Sequence, residues 1–217
     1  MADFTIYIGN KNYSSWSLRA WLVMKAAGAP FREVLIPLWQ PESKGEVLRH
    51  SPSGKVPALV HGDVTVWESL AIGEYLAEQA PAAGLWPSDS AARAAARAAS
   101  AEMHAGFLPL RRHLPMNMRA SVPGREIPPE VRLDIDRIAA MWRDCRRRFG
   151  ADGPYLFGRF TIADAMFAPV ASRFRTYHVA LGGEAQSYAD ALFSHPPLQE
   201  WEKAARAEPM VVAQFEV

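Results

Sequence analysis

The chain has 217 residues, 49% of them hydrophobic, which is enough for one large domain or two small ones. Its 24 lysine and arginine residues balance 23 aspartate and glutamate residues, and this argues against a general nucleic-acid or membrane-surface role. The single cysteine, Cys145, excludes an intramolecular disulfide, a CxxC redox pair and a multi-cysteine metal site.

The N-terminal residues favour a cytoplasmic protein. The first ten, MADFTIYIGN, include the acid Asp3 and no basic region followed by a long apolar run, so they do not resemble a signal peptide. No stretch approaches the roughly 18 uninterrupted apolar residues that are needed to cross a bilayer. We therefore expect a protein of a reducing compartment that binds no membrane, no nucleic acid and no metal.

A strand and a helix are predicted at the start of the chain. Residues 4–8 are rich in aromatic and β-branched side chains and are followed by Gly9-Asn10, which is typical of a strand and a turn. The next run, SSWSLRAWLVMKAAG, has helical spacing of its apolar residues and ends at Gly28. Ser14 or Ser15 therefore lies at a helix N-terminus. The simplest role for a serine at that position is that of an N-cap, with no function beyond stabilising the helix.

The following residues predict the rest of a mixed α/β unit. Residues 31–37 form a second strand, and a short polar helix begins at Pro41. Two short apolar runs, 58–61 and 64–67, are separated by Gly62-Asp63, which indicates a β-hairpin. A helix follows to Gln79. The order β-α-β-α-β-β-α predicts an α/β thioredoxin-like fold with helices on both faces of a mixed sheet.

Two dipeptides in this region have the chemistry of a peptide-binding site. Ser69 and the first-turn amides of its helix could bind a carboxylate, and Glu68 could hold an ammonium group. We predict a cis bond between Val56 and Pro57, which would leave the Val56 backbone to pair with an extended peptide. The alternative is that Pro57 marks an edge strand and that Glu68-Ser69 only caps a helix.

The order of V-P, hairpin, E-S-L-A-I and helix resembles the glutathione site of the glutathione S-transferases. The resemblance implies that Val56 next to Pro57 pairs with the cysteinyl backbone of glutathione, and that Glu68 and Ser69 hold its γ-glutamyl group. Lys55 would offer a cation to the glycine carboxylate. Glutathione would then be a cosubstrate.

The run Y-S-S-W-S-L-R resembles the S-S-C-S-x-R signature of the zeta class, which is maleylacetoacetate isomerase-like. The resemblance implies that Ser14 activates the thiol, with Ser15 as its neighbour. A free thiol has a pKa of about 8.5, and a hydroxyl donor at the positive end of a helix would favour its anion. Trp16 replaces the cysteine of that class, which argues against thiol–disulfide chemistry.

The second half of the chain predicts an all-α domain. Residues 80–90 are dense in Pro, Ala, Gly and Ser, so we predict domains at 1–80 and 91–217 joined by a linker at 81–90. A helix from Ser90 should kink or break at Pro109, and a second helix should begin at Pro128-Pro129.

Thr161 and Asp164 form the pattern of a capping box, with Phe160 available as a hydrophobic staple. Alone, the pattern indicates only a helix start. It also resembles the N-capping box in the C-terminal domain of glutathione transferases, and further helices are predicted over 184–193 and 197–207.

The resemblance also implies where the second substrate binds and what the protein does. The electrophile pocket would be formed by Trp16, Met103, His104, Phe107 and Arg111. The main hypothesis is a homodimeric glutathione transferase that adds the thiol to a small electrophile, as in detoxification. The alternatives are a glutathione-dependent cis–trans isomerase of a maleyl-type diacid and a non-catalytic binding module of the same fold.

Overall fold

The computed structural model describes residues 3–216 and contains a four-stranded mixed sheet near the N-terminus. The strands are β1 (Phe4–Ile8), β2 (Phe31–Leu35), β3 (Ala58–His61) and β4 (Val64–Trp67), in the spatial order β2-β1-β3-β4. β1 is parallel to β2 and antiparallel to β3, and β3 and β4 form the predicted hairpin. β2 ends at Leu35, earlier than predicted.

Helices cover both faces of the sheet. They are α1 (Ser15–Ala27), α2 (Ser43–Leu48) and α3 (Ser69–Gln79). Side chains alternate between the two faces of a strand. Ile6 and Ile8 accordingly pack in the main core with α1 and α3, whereas Tyr7 packs on the opposite face with Val47 of α2. This arrangement confirms the predicted thioredoxin-like fold.

The rest of the chain is helical, as predicted. Its helices are α4 (Ser90–Ala105), α5 (Leu108–His113), α6 (Pro129–Phe149), α7 (Ile162–Thr176), α8 (Gly183–Phe193) and α9 (Pro196–Ala207), and short 3₁₀ turns occupy Pro81–Ala83 and Ala213–Phe215. Over residues 3–216, no helix has both the length and the apolar character needed to cross a membrane.

The predicted break near Pro109 is confirmed, but it occurs earlier in the chain. α4 ends at Ala105, and Phe107 adopts a left-handed conformation with φ of 60°. Pro109 then lies in the first turn of α5, where its missing N–H removes no intrahelical hydrogen bond. The break therefore precedes the proline.

The predicted capping box begins α7 at the centre of the helical domain. Both oxygens of Asp164 are used: Oδ2 accepts from the backbone N–H of Thr161 at 2.8 Å, and Oδ1 accepts from the hydroxyl of Tyr188 at 3.0 Å. The backbone N–H of Ile162 donates to Leu85 in the segment between the domains. The box therefore fixes the start of α7, and the separate bond from Ile162 holds that start against the segment that contains Leu85.

Candidate active site

Two adjoining cavities lie between the sheet domain and the helical domain. The larger has a volume of about 530 Å³ and the smaller about 320 Å³. Trp16, Lys55 and Val56 line both of them, so the two form one cleft. The larger cavity also holds Ser14 and Ser15, and the smaller one also holds Ser53, Pro57, Glu68 and His104.

The two candidate serines differ in their hydrogen bonding. Ser14 is the N-cap of α1, and its hydroxyl donates to Ser17 Oγ at 2.8 Å while accepting from the Ser17 backbone N–H. Ser17 Oγ is itself fixed by the backbone N–H of Gly9 at 2.9 Å. Within residues 3–216, the hydroxyl of Ser15 forms no hydrogen bond. Ser15 is thus the serine whose O–H is available to a ligand.

The Val56–Pro57 bond is cis, which confirms the prediction. Neither the backbone N–H nor the C=O of Val56 has a hydrogen-bond partner in the described part of the chain. An extended peptide in the cleft could therefore pair with Val56 as a neighbouring strand would. Lys55, which precedes Val56, is exposed to solvent.

Glu68 lines the smaller cavity, and Ser69 follows it in the chain without lining either cavity. Glu68 has a φ of 71°, a left-handed conformation that is costly for a residue other than glycine and that often marks a functional site. Its carboxylate lies in the smaller cavity. Ser69 begins α3; its side chain is buried, and its hydroxyl has no partner among residues 3–216. A buried hydroxyl without a partner calls for an explanation.

The five residues predicted to form the electrophile pocket are divided between the hydrophobic core and the cleft. Met103 and Phe107 are buried in the hydrophobic core and line neither cavity, because the apolar side of this segment faces the other helices. His104 lies in the smaller cavity, with Nε2 3.7 Å from the Glu68 carboxylate. Burial, and then the nearby Arg19, lower the pKa of His104, whereas Glu68 opposes this shift. Trp16 and Arg111 line the larger cavity.

Three arginines lie near one another beside the larger cavity; Arg111 and Arg173 line it, and Arg19 does not. The guanidinium groups of Arg19 and Arg111 lie 4.5 Å and 4.9 Å from the centre of the Trp16 ring. Arg19 is fully buried, and its guanidinium has no hydrogen-bond partner in residues 3–216. Burial, followed by repulsion from Arg111 and Arg173, lowers the pKa of Arg19 well below its usual value. Guanidinium groups nevertheless stay protonated in proteins.

The larger cavity is strongly cationic. Arg111, Arg173, Lys44 and Lys55 line it, and no acidic side chain of the described residues does. Arg173 was not predicted, although a charged residue within the apolar run of α7 is a signal that points to it. Such a lining favours an anionic ligand. Over residues 3–216, no cluster of three or more His, Cys, Asp or Glu side chains could hold a metal ion.

Comparison with known families gives two matches. Residues 13–79 match the model "Glutathione S-transferase, N-terminal domain", and residues 92–204 match "Glutathione S-transferase, C-terminal domain". A probable maleylacetoacetate isomerase of Caenorhabditis elegans is 38% identical over 96 residues, which is 44% of each chain. A dichloromethane dehalogenase of Methylorubrum extorquens is 39% identical over 59 residues, 26% of this chain and 20% of the relative. Each alignment spans less than half of the relative's length.

Solved structures are similar over nearly the whole chain. A glutathione transferase homologue from Burkholderia with bound glutathione has a TM-score of 0.71 and 26% identity, covering 96% of this chain and all of its own. A theta-class glutathione S-transferase from Xanthomonas axonopodis pv. citri with bound glutathione has a TM-score of 0.62 and 26% identity, covering 92% and 97% of the two chains.

Proposed function

Because the chain belongs to the glutathione S-transferase family, we propose that it ionises the thiol of glutathione and adds the thiolate to a small electrophile. The observation that carries this proposal is the backbone of Val56, which has no hydrogen-bond partner among residues 3–216 and faces a cleft shared with Ser15 and Glu68. A tripeptide that pairs with Val56 would have its sulfur near the start of α1 and its γ-glutamyl group near Glu68.

Each charged end of glutathione has a partner in this arrangement. The γ-glutamyl ammonium group lies at Glu68, and its carboxylate accepts from the hydroxyl of Ser69, which has no other partner in the described chain. The glycine carboxylate lies near Lys55 and Lys44, both of which line the larger cavity. This arrangement gives a role to the Ser69 hydroxyl, which has no partner among residues 3–216, and to the left-handed backbone of Glu68.

The thiol loses its proton to solvent, and the thiolate accepts a hydrogen bond from a serine hydroxyl. The partial positive charge at the N-terminus of α1 stabilises the same anion. Ser15 is the donor, because the hydroxyl of Ser14 is already directed to Ser17. The sulfur lone pair then forms a bond to the electrophilic carbon. Either the bond to a leaving group breaks and the group departs with its electron pair, or a double bond is consumed and the adduct takes up a proton from solvent.

Removal of Glu68 or Ser69 should weaken glutathione binding. We expect Glu68→Ala and Ser69→Ala each to raise the Kd for glutathione about tenfold, because each loses a hydrogen bond to a charged group. Isothermal titration calorimetry measures this. Glu78→Ala, at an exposed acid on the same helix, is the matched control. Unchanged affinity in both site variants would contradict the proposed placement.

The arginine cluster favours a second candidate, the cis–trans isomerase of a maleyl-type diacid. The thiolate would add to the conjugated double bond, the adduct would rotate about the resulting single bond, and elimination of the thiolate would restore glutathione. Arg111 and Arg173 would hold the carboxylates of such a substrate.

Two electrophiles separate these candidates. Isomerisation of maleylacetone is compared with conjugation of 1-chloro-2,4-dinitrobenzene, and Arg111→Met is expected to lower kcat/KM about tenfold for maleylacetone only. Equal losses for the neutral and the anionic electrophile would argue against a carboxylate at Arg111. A protein that binds glutathione but turns over neither compound would support the non-catalytic module.

The same family membership supports a homodimer, since glutathione transferases usually pair so that the two domains meet across subunits. Light scattering coupled to size exclusion gives the mass in solution. A mass near twice 24.0 kDa is the expected result.

A further inference from the structure

The loop that leads into the proposed catalytic serines is held by the C-terminal part of the chain. This loop, residues 10–13, turns back on itself, with the backbone N–H groups of Tyr13 and Ser14 both donating to the carbonyl of Asn10. Its outward-facing groups contact α9 and the C-terminal segment, which we define as residues 208–216. The position of the start of α1 therefore depends on residues about 200 positions away in sequence.

Glu208 makes the central contact. Its Oε1 accepts from the backbone N–H of Lys11 at 2.9 Å, and its Oε2 accepts from the backbone N–H of Asn12 at 3.0 Å. The residue is only 7% exposed, and its carboxylate forms no ion pair in residues 3–216. Two successive backbone amides thus satisfy a buried charge, and a charge held in this way fixes the amides in return.

Further contacts hold the same loop. Trp201 of α9 donates its indole N–H to the carbonyl of Lys11 at 3.0 Å. The hydroxyl of Tyr13 donates to the carboxylate of Glu216 and accepts from the guanidinium of Arg119. The same guanidinium donates to the backbone carbonyl of Glu208 at 2.7 Å. All of these partners belong to the helical domain, so the loop bridges the two domains.

We propose that Glu208 is a positioning residue for the transferase reaction: it holds residues 11 and 12 so that the serines at the start of α1 reach the sulfur of glutathione. This inference rests on the proposed function. Glu208 touches neither cavity and so would not contribute to glutathione binding directly. Its loss would let the loop move, and a displacement of about 1 Å at a catalytic donor is enough to lower a rate about 100-fold.

The test compares Glu208→Gln with Glu200→Gln, at an exposed acid of α9 that pairs with Lys25. The amide side chain of Glu208→Gln would keep one acceptor oxygen but turn an N–H donor toward one of the two backbone N–H groups. The expected result is a 10- to 100-fold loss of kcat/KM, an upward shift in the pKa of the bound thiol and a glutathione Kd within about twofold of wild type. Hydrogen exchange at Lys11 and Asn12 should become faster in Glu208→Gln.

Several outcomes would overturn the inference. If Glu208→Gln melts at a lower temperature but keeps the wild-type thiol pKa and kcat/KM, its role is structural only. The inference also fails if Glu200→Gln loses as much activity as Glu208→Gln, because the loss would then not be specific to Glu208. If the wild-type protein itself neither binds glutathione nor lowers the pKa of its thiol, the proposed function fails, and this result is distinct from a failure of the Glu208 proposal.

Discussion

Replacing Ser15 by alanine is expected to lower kcat/KM about 100-fold while leaving the affinity for glutathione nearly unchanged. Removal of one preorganised donor to a reacting anion typically reduces rates by about 100- to 1000-fold. A shift of about two units in the thiol pKa corresponds to about 2.7 kcal/mol, so most bound thiol would be protonated at neutral pH. The thiolate absorbance of the bound glutathione, titrated against pH, measures the shift.

Ser14→Ala is the matched comparison. Its hydroxyl caps α1 and bonds with Ser17, so its loss should destabilise the protein by about 1 kcal/mol and lower turnover less than Ser15→Ala does. A larger loss for Ser14→Ala would assign the thiol to Ser14, as the resemblance to the zeta class implies. Wild-type thiol pKa in both variants would contradict activation by either serine.

Asp164→Ala is expected to lower the free energy of unfolding at pH 7 by about 3–5 kcal/mol, because it breaks a buried hydrogen-bond network. The carboxylate is fully buried and accepts four hydrogen bonds, which come from the backbone N–H groups of Leu156 and Thr161 and from the hydroxyls of Thr161 and Tyr188. Alanine would leave all four donors without an acceptor. Urea denaturation monitored by tryptophan fluorescence measures the change.

Two control variants distinguish the loss of the buried hydrogen-bond network from the loss of an acidic side chain in general. Tyr188→Phe removes one hydrogen bond and should cost about 1.5–3 kcal/mol. Asp136→Ala, at an exposed acid of α6, should stay within about 0.5 kcal/mol of wild type. A loss in Asp164→Ala no larger than that in Asp136→Ala would contradict the structural role of the capping box.

The same carboxyl group predicts a pH dependence of stability. Burial raises the pKa of Asp164 to about 6, outweighing the hydrogen bonds that lower it, whereas an unfolded aspartate titrates near 3.9. The folded protein therefore binds this proton more tightly than the unfolded chain does. The resulting stability is complete below about pH 4 and is lost as the pH rises through about 6. Relative to Asp164→Asn, wild type should lose about 3 kcal/mol across this range.

Features set by local chemistry could be predicted from the sequence. The hairpin, the capping box at Thr161 and the break near Pro109 each depend on residues that are adjacent or a few positions apart. The cis bond before Pro57 depends on a motif of similarly local extent. These predictions concern the backbone, and the structure confirms them.

Features set by packing between distant segments could not be predicted from the sequence. Met103 and His104 are neighbours in α4, yet one is buried in the core and the other faces the cleft, because the orientation of α4 against α7 decides which side is exposed. Helical spacing identifies the residues that share one side of a helix, but it does not show which other element packs against that side. The contacts of Glu208 with residues 11 and 12 join the two ends of the chain and have no local signature.

A crystal structure with bound glutathione would test the central claim most directly. We predict that the cysteinyl backbone pairs with Val56, that the γ-glutamyl group lies at Glu68 and Ser69, and that the sulfur lies within hydrogen-bonding distance of the Ser15 hydroxyl. Glutathione bound outside this cleft, or a sulfur directed away from both Ser14 and Ser15, would contradict it.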